Sequence, residues 1–191
     1  MSRDFLRIDV FTDVLASTDL MALLSPRLRK FPREWKWMII ATHSAAQGAM
    51  VCSIQDTTKT SILTEASAKK MLNWLDVMQG DPPVERLAEF GVLLAKFRDK
   101  YPSLLKQAKY DRIEKLHSVF RNKFSHFTPT SWSIEIEILI PLIESAAKLI
   151  EVAMAQGQVL IHTSGNSKRK LTATLNVTRK ALGTIEGDAT Q

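Results

Sequence analysis

Around residue 120 the chain reads Phe120-Arg121-Asn122-Lys123-Phe124-Ser125-His126-Phe127, followed at once by Thr128-Pro129. A histidine titrates near neutral pH and can take or return a proton. An arginine keeps its charge and offers a fork of donors that fits phosphate oxygens. On a helix, Asn122 and His126 share a face one turn apart, and Arg121 stands beside that face with an arm that can swing over it. Asn122 could orient the imidazole or hydrogen-bond a substrate. Such a set can cleave RNA without metal. The ribose 2′-hydroxyl attacks its own phosphate to leave a 2′,3′-cyclic end, while the arginine stabilises the charge on five-coordinate phosphorus. DNA lacks that hydroxyl and would be inert. The other reading is structural, since an arginine and a histidine near a helix C-terminus also answer the helix dipole.

The string Arg121-Asn122-Lys123-Phe124-Ser125-His126 resembles the R-x(4–6)-H motif of the HEPN superfamily. The resemblance implies an all-α, up-and-down helical bundle in which Arg121 and His126 are the defining pair and Asn122 is the polar residue that often follows the arginine. It implies a metal-independent endoribonuclease that uses no cofactor, of the kind found in toxin–antitoxin, phage-defence and RNA-processing systems. It equally allows a non-catalytic module that binds RNA or protein. A homodimer is the expected unit, because paired motifs supply both acid and base, and an inhibitory antitoxin protein is a further partner. Lys123, by adjacency, would hold a neighbouring phosphate. A second match to the spacing, Arg112 to His117, lacks the following asparagine and lies inside a helix; it reads as accidental.

The segment 25–37 packs Arg27, Arg29, Lys30, Arg33 and Lys36 among Phe31, Trp35 and Trp37. Cations interleaved with aromatics suit an RNA groove, phosphates on the charges and bases on the rings. A charged helix entry whose tryptophans pack inward is the alternative. Lys168-Arg169-Lys170, with Arg179 and Lys180, reads mainly as a solvated turn that could add phosphate contacts. His43, among small residues, reads as a hydrogen-bonded core histidine, with a place facing the active site or a second protomer as the alternative, and His162 has no partner legible in the sequence. Glu135 and Glu137 would point apart on a helix and make a poor metal pair. The chain carries no HExxH, no GxSxG and no glycine-rich phosphate loop after a strand.

These residues need elements to hold them. Glycine and proline number seven each in 191 residues, and apolar residues recur at helical spacing over long stretches. Helices are expected over 9–24, 33–55, 64–80, 103–127 and 133–156, and after a turn at 81–83 one that carries Leu87, Phe90, Leu94 and Phe97 on one stripe. Thr64 reads as a cap, Pro141 as a kink and the small-residue run 41–50 as open to close approach by another backbone. This gives a bundle over 1–156. Residues 157–191 read as a short C-terminal extension, either a loose tail or a β-hairpin built on the alternating Leu171–Thr178 stretch. With 45% apolar residues the chain can bury a good core, and the net charge of +6 leans towards polyanions. One cysteine, Cys52, excludes an intrachain disulfide and a Cys-cluster metal site. The charged first residues do not form a signal peptide, and no uncharged run is long enough for a membrane span, so a cytoplasmic protein is expected.

Overall fold

The computed structural model describes residues 5–126, 131–156, 159 and 165–189. They form an all-α helical bundle. The first helix, α1 (Val10–Leu24), opens with a capping box. Asp9 accepts from the Thr12 N–H at 2.7 Å, and the Thr12 hydroxyl accepts from the Asp9 N–H at 2.8 Å. Its buried side is Val14, Thr18, Met21 and Leu24. A 3₁₀ turn at Pro32–Glu34 leads into α2 (Trp35–Ile54), the central helix, which is buried on nearly every side. The small residues of α2 face α1 closely. A β-carbon on Gly48 would stand 2.6 Å from Cγ2 of Val14.

Helix α3 (Glu65–Val77) starts on the Thr64 hydroxyl, which accepts from the Ser67 N–H, and ends on Met78 in the left-handed region, φ 54°. The expected helix from about 84 is corrected: α4 (Phe90–Lys100) begins six residues later, and Leu87 is 43% exposed rather than on the core stripe. The backbone explains it. Ala88 N–H donates to the Ile62 carbonyl and Thr64 N–H to the Arg86 carbonyl, so 86–88 run antiparallel to 62–64 through a Leu63–Leu87 bridge.

Helix α5 (Gln107–Lys115) continues without interruption into a π turn (Leu116–Arg121) and then α6 (Asn122–Ser125). Ile113, Leu116 and Phe120 are buried there. Phe127, Thr128 and Pro129 lie outside the described residues. Helix α7 (Ile136–Met154) runs through Pro141 and buries eleven residues from Leu139 to Met154.

The β-hairpin alternative for the C-terminal stretch is also corrected. Gly165–Ala189 is one helix, α8, packed on α1 and α7. Leu171, Leu175, Thr178 and Leu182 are buried, a helical i, i+4, i+7, i+11 stripe that the local alternation hid. Lys170 bridges to Asp19 at 2.6 Å and Arg179 to Glu151 at 2.9 Å. No helix among the described residues is long and apolar enough to cross a membrane.

Candidate functional site

The π turn is what positions the site. Asn122 N–H donates to the carbonyl of His117, five residues back, in place of an α bond. Such wide turns inside helices often mark functional sites. Here the turn presents His117 and Arg121 on the side where α2 and α4 meet it.

His43 of α2 is 5% exposed, and its Nε2 lies 2.9 Å from Nδ1 of the half-buried His117. The two ring centroids are 5.1 Å apart and the planes differ by 20°, so the imidazoles meet edge to edge through that hydrogen bond. The Phe90 ring covers both, 4.3 Å from His43 at 25° and 4.6 Å from His117 at 13°. Burial, then the neighbouring His117, then the Arg121 guanidinium, push the His43 pKa down to about 3. His117 is lowered by burial and then by Arg121, with Glu89 and Glu114 opposing. Both rings are therefore neutral at neutral pH, beside a fixed positive charge.

Arg121 is half-buried and donates from Nη1 to the Asn122 side-chain oxygen at 3.1 Å. That bond fixes a guanidinium at the helix surface. His126 closes the short helix α6: its N–H donates to the Asn122 carbonyl at 2.9 Å, and its ring is exposed. No side chain among the described residues hydrogen-bonds the His126 imidazole. The structure thus joins Arg121 to Asn122, puts His126 one turn further on, and brings His43 and His117 within the field of Arg121.

The second match to the spacing divides. Arg112 turns to a polar cleft with Glu144, Lys148, Glu151 and Arg179, away from His117. His117 itself belongs to the site. One local signal pointed to it, since His117 precedes Arg121 by four residues as Asn122 precedes His126. His43 is the buried, hydrogen-bonded histidine its small neighbours suggested, and what the sequence lacked was a signal for its partner.

Lys123 is exposed, with its ammonium 4.6 Å from the Trp132 ring. Arg33 and Lys36 line a groove with Trp132 and with Phe124 of the helix that carries the motif. Arg27 is tied to Glu34 at 2.6 Å and lies over the Phe31 ring, and Lys30 lies over that ring too. Arg29 is exposed. Trp35 packs inward and Trp37 outward, so each of the alternatives for this segment holds for one tryptophan. Lys170 and Arg179 are engaged by acids of the bundle, and Arg169 donates to Asn166. His162 lies outside the described residues. Among those described, no group of three or more His, Cys, Asp or Glu is placed to hold a metal ion.

Comparison with protein-family models, with curated proteins and with solved structures gives no match.

Proposed function

We propose that this bundle is a HEPN-like, metal-independent endoribonuclease acting on single-stranded RNA. One observation carries the reading: Arg121 is held by Asn122 at the helix surface, with the exposed imidazole of His126 a single turn away. In the step proposed, an imidazole takes the proton of the ribose 2′-hydroxyl as its oxygen bonds to phosphorus. The bond from phosphorus to the 5′-oxygen breaks, and that oxygen takes a proton from a second imidazole. The products are a 2′,3′-cyclic phosphate and a 5′-hydroxyl. Arg121 neutralises the charge that builds on the equatorial oxygens, a role suited to a preorganised guanidinium. In a homodimer, the second His126 supplies the second proton carrier. A toxin or phage-defence role in the cytoplasm, with an antitoxin as inhibitor, fits such an activity.

A non-catalytic RNA- or protein-binding module is the second reading. It is favoured by the imidazole of His126, which no side chain among the described residues orients, whereas proton-transfer groups usually have an orienting partner.

The deciding experiment is cleavage of end-labelled single-stranded RNA in EDTA by the wild type, Arg121→Ala and His126→Ala, with folding checked by circular dichroism. Cutting to 2′,3′-cyclic ends by the wild type alone supports the nuclease. Intact RNA with all three folded supports the binding module.

A further inference from the structure

The groove beside α6 has walls of Trp35, Phe124, Trp132, Ile134 and Ile136, and encloses about 260 Å³. Among the described residues its only charged lining side chains are Arg33 and Lys36, with no carboxylate among them. Trp132 is half-buried, with its ring centroid 5.3 Å from that of Phe124 at 58° and 5.8 Å from that of Phe120. Lys123 lies over the same indole. Trp35, 4% exposed, keeps its indole N–H without an acceptor. Phe124 is two residues from His126 and three from Arg121, so the groove is continuous with the motif helix.

We propose that this groove is a nucleobase subsite, which takes one unpaired base of single-stranded RNA against Trp132 and Phe124. Lys36, Arg33 and Lys123 then hold the flanking phosphates. The inference rests on the reading of RNA as the ligand and adds where a base next to the cleaved phosphate would go. Aromatic faces accept any base, and cations at the rim track the backbone, the combination by which proteins hold single strands. An aliphatic protein segment would gain nothing from cations on the rim. A polyanion with flat apolar faces uses both features. The ammonium of Lys123 is exposed, so it can leave the indole for a phosphate when a base arrives.

The test is fluorescence anisotropy of a labelled single-stranded RNA oligonucleotide in EDTA, using His126→Ala as the parent so that binding is read without cleavage. A second oligonucleotide of the same length carries abasic riboses. Trp132→Ala should weaken binding of the normal oligonucleotide roughly 5- to 150-fold, the range of one lost base stack. Trp132→Phe keeps a ring, and its binding should stay near that of the parent. The abasic RNA should bind the parent weakly and gain nothing from Trp132. Equal binding of normal and abasic RNA, or RNA affinity in folded Trp132→Ala matching the parent, overturns the subsite. So does a Trp132→Ala effect confined to the sedimentation of the protein, which would make the groove a protein contact. Base-dependent binding without wild-type cleavage would refute the nuclease and leave the subsite standing. Cleavage with unaltered groove-variant binding would do the reverse.

Discussion

His43 Nε2 and His117 Nδ1 share a hydrogen bond of 2.9 Å across 74 positions of chain, closing α2 against the π turn under the Phe90 ring. One imidazole must donate and the other accept, so at least one ring is neutral, and burial beside Arg121 keeps both so. Protonating both rings would leave no acceptor between them and set two cations edge to edge beside Arg121.

The pH dependence of stability follows. His43 is held at about 3 in the fold against an ordinary 6.5. Between those values the unfolded chain binds a proton that the folded chain refuses, so stability is full above 6.5 and is lost as pH falls towards 3. The loss from His43 at pH 5 is about 2 kcal/mol. His117, also lowered, acts in the same direction. Denaturant melts at pH 7.5 and 5 should show this loss, and His43→Gln should flatten the slope.

Removing one partner separates hydrogen bonding from charge. His117→Ala leaves the Nε2 of His43 without its partner and should cost about 1–3 kcal/mol. His117→Gln can keep a polar group there and should cost less. Urea unfolding at neutral pH measures both.

At the α1–α2 contact, a methyl group on Gly48 has no room beside Val14. Gly48→Ala should destabilise the bundle by about 1–3 kcal/mol, despite the higher helix propensity of alanine. Gly48→Ala combined with Val14→Ala should recover part of the clash and expose the coupling in a double-mutant cycle.

The C-terminal helix is held by its apolar stripe. Leu175, 1% exposed, should cost about 2–5 kcal/mol when changed to alanine. The bridge from Lys170 to Asp19 joins exposed groups, and Lys170→Ala should cost under about 1 kcal/mol. Thermal melts of the two variants rank the terms.

For the proposed cleavage, Asn122→Ala frees the Arg121 guanidinium from its 3.1 Å anchor. The expected loss is up to about 100-fold in kcat, with KM little changed, because the variant misplaces a charge needed in the transition state. Single-turnover kinetics would read it. An equal fall in RNA affinity would instead make Asn122 a binding residue.

Local pattern carried most of the helices. The Thr64 cap, the entry at Pro32 and the small-residue face around Gly48 were legible because each depends on neighbours in sequence or on side-chain size alone. The start of α4 was not, because the backbone of Ile62 and Thr64 takes up residues 86–88 from a distance. In α8, threonines between the leucines imitate a strand, and only burial against α1 and α7 chooses the four-residue period. Arg121, Asn122 and His126 were legible as candidates from their chemistry. The bond from Arg121 to Asn122 was not, since the sequence turned Asn122 towards His126 or a substrate. His43 was legible as a buried, hydrogen-bonded histidine, but its partner was not, because His117 lies on another helix. The spacing alone ties His117 to Arg112, but the two side chains serve different sides of one helix.

The wide turn at Leu116–Arg121 has an evolutionary reading. A π turn is an α turn carrying one surplus residue. One residue advances an α-helix by about 100°, so the surplus shifts the phase of all that follows by roughly that angle. With it, the core stripe through Ile113 and Phe120 coexists with an Arg121 aimed at the histidine pair. A single in-frame codon deletion between Leu116 and Arg121 would leave composition, charge and helix propensity nearly intact. It would also let the turn close to a regular α turn with Asn122 and His126 kept on their present face, whereas the undeleted sequence wound as plain α-helix would carry them to another. For this protein, the reading frame of the helix is as heritable a feature of the site as the residues themselves.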